Sequence, residues 1–296
     1  MKIIDSIGKM NTYSKIMRKQ NKTLGFIPTM GYLHEGHLSL IRTARKQSDV
    51  VVASIFVNPT QFGPDEDYKK YPRDIEKDES LTKTSGVDVL FCPTPEEMYP
   101  LEFSTWVSVK GPTDNLCGKS RPEHFKGVTT VVMKLFNVIR PDIVYFGQKD
   151  AQQAFVIKKM IEDLNLDIIM KILPTIREEN GLAMSSRNTY LTKSQKIDAN
   201  LLNRSLKIAE KLVNDGCRSA KKIVKTMRDL LLTAPTIKID YIAVTDTKEL
   251  KNISELKGEA LISLAVFVGS VRLIDNVIVN IEKPANTKRY EYDKAQ

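Results

Sequence analysis

Short apolar runs alternate along the first half of this chain with longer stretches in which apolar residues recur every three or four positions. The short runs cover residues 24–28, 50–57, 87–91, 143–146 and 168–173. The second is nearly continuous and rich in β-branched residues, as in a strand buried on both faces. Residues 36–47, 128–139 and 151–164 carry the helical period. The middle one stops at Arg140-Pro141, because a residue before proline is pushed away from helical backbone angles. Alternation of strand-like and helix-like segments predicts an α/β fold with a doubly wound parallel sheet. Ligands of such sheets bind beyond the carboxyl ends of the strands.

The rhythm changes near Ile176. Residues 194–214 and 219–232 read as two long helices, and 239–244, 260–268 and 271–274 as strands of a small α+β unit. Two domains are expected, 1–175 and 176–296. Residues 284–296 are polar and expected to fray. No internal repeat or low-complexity tract interrupts the pattern.

Composition narrows the class. The 296 residues are 42% hydrophobic and 27% charged, ordinary for a globular protein. No apolar run approaches the ~18 residues of a membrane span, and the first residues do not read as a signal segment. Cys92, Cys117 and Cys217 are widely spaced and form no CxxC, so a disulfide framework or zinc ribbon is not expected. A reducing cytoplasm is the expected compartment. The formal charge of +9 favours anionic ligands. The basic residues are dispersed, so small anions fit better than nucleic acid.

Chemistry concentrates where strands end. Two of the three histidines lie in His34-Glu35-Gly36-His37, after the first apolar run and a turn, at the start of a helix. A helix start offers unpaired N–H groups and the positive end of its dipole, a natural phosphate site. A solvated polar helix start would look the same. Histidines three apart also reach one metal, but no third ligand is indicated. Asn58-Pro59-Thr60-Gln61 follows the second strand, with turn chemistry accounting for Asn58 more readily than for Gln61. Gly147-Gln148-Lys149-Asp150 follows the 143–146 run. There Gly147 permits a turn, Lys149 offers a point charge, and Asp150 caps the next helix or accepts from ribose hydroxyls. Gln152 and Gln153 open that helix, and one of them would face the cleft of Gln61. Met184-Ser185-Ser186-Arg187 suits a mobile loop over phosphates, or a polar linker. Residues 119–127, with Lys119, Arg121, His124 and Lys126, are dense in phosphate-binding types. No P-loop, no Gly-x-Gly-x-x-Gly after a strand and no Gly-x-Ser-x-Gly elbow is present.

Five colinear motifs resemble those of pantothenate synthetases, the pantoate–β-alanine ligases. They are Pro28-Thr29-Met30-Gly31-Tyr32-Leu33-His34-Glu35-Gly36-His37, residues 54–62, Tyr71-Pro72-Arg73, residues 146–153 and Ser185-Ser186-Arg187-Asn188. The match runs over roughly residues 3–280. The resemblance implies a Rossmann-like domain, a smaller C-terminal lid, a homodimer, ATP as substrate and accompanying Mg2+, with metal ligands unknown. Pantoate and ATP would give pantoyl adenylate and pyrophosphate, and β-alanine would then displace AMP. By resemblance, Met30, Gly31, Tyr32, Leu33, His34, Glu35, Gly36 and His37 bind ATP, with His34 and His37 on its phosphates and His37 as proton donor. Lys149, Ser185, Ser186 and Arg187 would neutralise phosphate charge. Gly147, Gln148 and Asp150 would hold the adenosine side, with Ile176 and Met184 near it. Gln61 and Gln153 would grip pantoate, assisted by Asn58. Glu123 and Lys126 depart from the family, which often has Gly and Arg there. A nucleotidylyltransferase acting on a phosphorylated substrate shares the histidine logic and is the main alternative.

Overall fold

In the computed structural model, which describes residues 1–64 and 66–281, two compact units are formed. The first comprises Met1–Asp114, Arg121–Ile176 and Met184–Ser186; the second comprises Asn115–Ser120, Arg177–Ala183 and the chain from Arg187 onward. The polar stretch 284–296 lies outside the described residues.

The first unit is a six-stranded parallel sheet in the order β1-β4-β3-β2-β5-β6. Its strands are β1 (Lys2–Ile4), β2 (Leu24–Thr29), β3 (Val50–Ile55), β4 (Val89–Phe91), β5 (Ile143–Gly147) and β6 (Ile169–Leu173). Its longer helices are α1 (Ile7–Lys19), α2 (Glu35–Gln47), α3 (Ile75–Thr84), α6 (His124–Ile139) and α7 (Ala151–Asp163); α4 (Pro95–Met98) is a single turn. The doubly wound parallel sheet expected from the alternating pattern is present. Ile27, Val51, Ala53, Leu90 and Tyr145 bury their side chains against Leu40, Ile41 and Ala44 of α2. α6 ends at Arg140, whose φ of 53° is left-handed, immediately before Pro141.

The chain runs from β2 to β3 and β4 on one side, then crosses back to place β5 and β6 on the other. The crevice of such a sheet opens at this reversal, between β2 and β5. Pro28 contributes to the opening. Leu24 pairs toward the β5 side, through Asp142, and strand residues alternate in direction, so the Pro28 nitrogen also faces β5. Pairing of β2 with β5 ends at Phe26, whereas pairing with β3 continues to Thr29. A proline in a central strand is therefore accommodated where one ladder has already stopped.

The second unit contains α5 (Cys117–Ser120), α8 (Lys193–Asn214) and α9 (Ala220–Leu231) with an antiparallel sheet of β7 (Ile237–Thr245), β8 (Glu259–Val268) and β9 (Val271–Asn280). Leu202, Leu206 and Ala209 of α8 and Ile223, Met227 and Leu231 of α9 pack with Ile262, Leu264 and Val266 of β8. Thr192 and Gln195 form a capping box that starts α8. The Arg177 guanidinium makes a two-pronged ion pair with buried Asp275 of β9, at 2.6 and 3.1 Å. Cys117 Sγ lies 3.3 Å from the Tyr241 hydroxyl and 3.5 Å from Arg272, and Arg272 pairs with Asp240 at 2.7 Å. These contacts tie the Asn115–Ser120 segment into the second unit.

Candidate active site

The chain leaves β2 at Thr29 and reverses through two left-handed residues, Gly31 (φ 82°) and Tyr32 (φ 51°). Gly31 is required twice over: by its φ, and because a Cβ there would lie 2.9 Å from both Asp78 Oδ2 and Ile55 Cγ2. The Thr29 hydroxyl donates to the Ser54 carbonyl at 2.7 Å and accepts the Gly31 N–H at 3.1 Å. The Tyr32 and Leu33 N–H groups each donate to the Asp78 carboxylate of α3 at 2.7 Å. α2 then begins with His34 as its N-cap.

Both imidazoles fold back on this helix start. His34 Nδ1 accepts the Gly36 N–H at 3.2 Å, and His37 Nδ1 accepts the His34 N–H at 3.4 Å. An acceptor Nδ1 leaves the proton of a neutral ring on Nε2. The rings lie 4.2 Å apart between centroids, and each retains an Nε2–H as its donor. Burial, then the nearby Lys149 charge, lowers the His34 pKa to about 4, partly countered by Asp150. Burial, His34 and Lys149 together hold His37 well below 6.5. At neutral pH both rings are uncharged hydrogen-bond donors. Gly36 serves this packing: a Cβ there would meet the His34 ring at 2.8 Å.

Gln61 ends a 3-10 turn, Pro59–Gln61, after β3. Its side chain is buried, with Oε1 accepting from Asn58 Nδ2 at 3.1 Å and Nε2 donating to Met30 Sδ at 3.3 Å. Asn58 is 1% exposed and committed on all sides. Its Nδ2 also donates to the Gly127 carbonyl, and its Oδ1 accepts from Tyr99 and from Thr60. A carbonyl only accepts and an amide N–H only donates, so Asn58 has one orientation and Gln61 follows it. Asn58 thus orients Gln61, with no polar atom left over for a substrate. Gly127 of α6 permits the approach: a Cβ there would come within 2.4 Å of the Thr60 carbonyl oxygen.

Arg121, His124 and Lys126 are engaged within the protein. Arg121 makes a two-pronged contact with Glu66 at 2.6 and 2.5 Å and lies 3.1 Å from His124 Nε2. His124 Nδ1 donates to the Gln61 carbonyl at 2.8 Å. Burial pushes the Glu66 carboxyl up, but its Arg121 hydrogen bond and charge leave it below the usual range. Lys126 pairs with Glu123 at 2.7 Å. This cluster fixes the Gln61 backbone.

Beyond β5, Gly147 has an ordinary extended φ of −89°, and a Cβ there would meet nothing within 4 Å. Its turn does not require glycine; the position faces open space. Asp150 precedes α7 yet makes no side-chain cap hydrogen bond, so the capping account of this residue fails. Its carboxylate lies 3.7 Å from the Lys149 ammonium. Gln152 is buried and donates to the Pro112 carbonyl at 2.8 Å, while Gln153 is half-buried. The Met184 N–H donates to the Ile176 carbonyl at 3.0 Å, and the Ser186 hydroxyl lies 3.1 Å from that of Tyr71. In the second unit, Arg177 and Ala183 form a β-bridge, and Asn188 Nδ2 donates to Glu178 at 2.7 Å. Arg187 is half-buried in the 3-10 turn that follows. Ser185 is half-buried, and Glu35 is exposed and ion-paired with Arg42.

The structure therefore brings His34, His37, Lys149 and Asp150 into one electrostatic neighbourhood, and Met30 against Gln61. Sequence reasoning overlooked Asp78, Tyr99 and Glu66. Asp78 sits in an acidic run, Asp74 to Glu79, where no local signal separates a buried carboxylate from its exposed neighbours. Among the described residues, no group of three or more His, Cys, Asp and Glu is arranged to hold a metal ion, and no helix is long and apolar enough to cross a membrane.

A family model described as pantoate-beta-alanine ligase matches residues 2–278. A pantothenate synthetase from Caldicellulosiruptor saccharolyticus is 53% identical over 281 residues, covering 95% of this chain and 100% of the relative. One from Thermotoga petrophila is 52% identical, covering 94% and 100%. The crystal structure of a pantothenate synthetase from Thermus thermophilus superposes with a TM-score of 0.88 at 41% identity, over 94% of this chain and 99% of that one. A Francisella tularensis pantoate-beta-alanine ligase, described as complexed with beta-gamma ATP and beta-alanine, has a TM-score of 0.78 at 34% identity, covering 96% and 98%.

Proposed function

The chain belongs to the pantoate-beta-alanine ligase family, and from that premise we propose the following reaction and division of labour. ATP and (R)-pantoate form pantoyl adenylate with release of pyrophosphate. The amine of β-alanine attacks the acyl carbon, AMP leaves, and pantothenate is formed. A free carboxylate is a poor electrophile, and adenylation supplies its leaving group. Phosphoryl chemistry of this kind asks for positioning and charge stabilisation rather than covalent help from the protein.

The observation that carries the reading is the pair of neutral Nε2–H donors at the start of α2, within the field of Lys149. Donors fixed before the substrate arrives need no reorganisation as charge grows on the α-phosphate and the departing pyrophosphate. Lys149, Ser185, Ser186 and Arg187 add neutralising contacts, and Asp150, left without a capping bond, is suited to ribose hydroxyls. Gln61, held by its carbonyl, offers N–H to the pantoate carboxylate or hydroxyl, with Gln153 as second grip. A magnesium ion accompanying the nucleotide would supply further neutralisation of phosphate charge. The C-terminal unit serves as the lid, and the working form is a cytoplasmic homodimer. A protein partner surface is supported by fully exposed Leu101 and by Trp106 nearby, at 43% exposure.

The test incubates the purified protein with ATP, magnesium and (R)-pantoate, with and without β-alanine, and follows pyrophosphate, AMP and pantothenate. AMP and pantothenate appearing together only when both acids are present is the expected result. Nucleotide transfer to a phosphorylated alcohol in place of pantothenate would overturn it.

A further inference from the structure

Asp78 is a buried carboxylate that the scheme above leaves unused. It lies at the beginning of α3 and is 1% exposed. Its two oxygens are divided between two successive amides: Oδ2 accepts from Tyr32 and Oδ1 from Leu33. Those amides belong to the left-handed reversal that delivers His34 to the start of α2. The same helix turn also reaches the side chain of Tyr32, with Lys77 Nζ 5.4 Å from its ring centroid.

A carboxylate so near a site for polyphosphate has the wrong sign for binding, so its value must lie elsewhere. Two consecutive N–H groups pointing the same way need two acceptors side by side, which a carboxylate supplies and a carboxamide does not. Left unmatched, buried amides are costly, and a left-handed non-glycine residue persists only when its surroundings enforce it. The close fit of Gly31 against Asp78 Oδ2 shows how little slack the contact has. Burial raises the Asp78 carboxyl above its usual 3.8, and the two N–H bonds oppose that rise.

We propose that Asp78 is a positioning residue for the nucleotide site. It holds the Gly31-Tyr32-Leu33 turn so that His34 and His37 present their Nε2–H groups to the phosphates. This rests on the phosphate role given to the histidines above. Asp78 does not itself touch substrate; it acts through the helix start.

The experiment compares Asp78→Asn, His34→Ala and the double variant in steady-state kcat and in KM for ATP and pantoate. Asp78→Asn keeps the shape but sets an amide donor against a backbone donor. It is expected to lower kcat about tenfold or more and raise the KM for ATP, with the KM for pantoate within about twofold. In the His34→Ala background its further effect on kcat should be smaller than in the unmodified protein, the remainder acting through His37. Equal losses in both backgrounds, or a change confined to pantoate, would overturn the proposal. An undiminished kcat in His34→Ala alone would instead remove the phosphate role of His34. Amide exchange on the unmodified protein provides a readout independent of variant folding. The Tyr32 and Leu33 amides should exchange far more slowly than an unstructured chain, and fast exchange at both would refute the clamp. Gly31→Ala, which drives a methyl against Asp78 Oδ2, should reproduce the kcat loss and ATP KM rise of Asp78→Asn; unchanged kinetics there would also count against it.

Discussion

Each imidazole of the His34–His37 pair is a hydrogen-bond donor because its other nitrogen is already occupied. Its neutrality has a thermodynamic cost that can be measured. A histidine whose folded pKa is depressed binds its proton in the unfolded chain first, so stability falls as pH drops below about 6.5. For His34 that loss continues to about pH 4. Between pH 6.5 and 5, the His34 ring should remove about 1.4 kcal/mol of stability per pH unit once the unfolded form is protonated, and His37 acts in the same direction. Denaturant titrations of the unmodified protein and of His34→Ala in that interval check this; a slope unchanged by the substitution would contradict it. His37→Ala should slow adenylation about a hundredfold or more, through loss of one preorganised donor, as read from pyrophosphate release. Gln153→Ala should raise the KM for pantoate more than that for ATP, and an equal rise would take Gln153 out of the pantoate pocket. At this scale the sequence disclosed residue types at strand ends but not their partners. His34-Glu35-Gly36-His37 was readable because strand, turn and helix start are local. The lock of Asn58 on Gln61 was not, since Tyr99 and Gly127 come from 41 and 69 positions away.

Burial on both faces made several elements legible. β2, β3 and β5 stood out as apolar runs because helices cover both faces of a parallel sheet. α1 and α3 left weaker patterns: of thirteen residues in α1, only Met10 and Ser14 are buried, and of ten in α3, only Asp78 and Thr82. A helix whose inward face carries Ser, Asp and Thr lacks the apolar stripe by which helices are recognised. α6 starts earlier than its apolar period suggested, at His124. That first turn breaks the apolar period because His124 and Gly127 meet the Gln61 turn. Gly127→Ala tests the contact. Its methyl would overlap the Thr60 carbonyl, costing about 1–3 kcal/mol of stability and loosening Gln61, so the KM for pantoate should rise. Thermal denaturation together with pantoate kinetics would show both effects, and an unaltered variant would mean the approach is less tight than its 2.4 Å implies.

For the molecule as a whole, composition and alternation were enough for the fold class, because the sheet's order follows from short right-handed connections. The interleaving of the two units had no such signal; six residues between Asn115 and Ser120 carry no period of their own. The second unit's stability depends on a pair distant in sequence, Arg177 with Asp275, where the carboxylate is almost wholly buried. Asp275→Ala would leave the guanidinium without its partner and should destabilise this unit by about 3 kcal/mol, seen as a lowered calorimetric transition.

Protein synthesis meets the same interleaving as a problem of timing. The first unit includes Met184–Ser186, whose Ser186 hydroxyl lies against Tyr71, so it is complete only after ten more residues have followed Ile176. Cys117 and Ser120 wait far longer, because Tyr241, Asp240 and Arg272 emerge more than a hundred residues after them. A growing chain thus carries the Asn115–Ser120 segment ahead of its second-unit contacts for more than a hundred residues of synthesis. No single cut can yield both units whole, and a fragment ending at Ile176 would hold one segment too many and another too few.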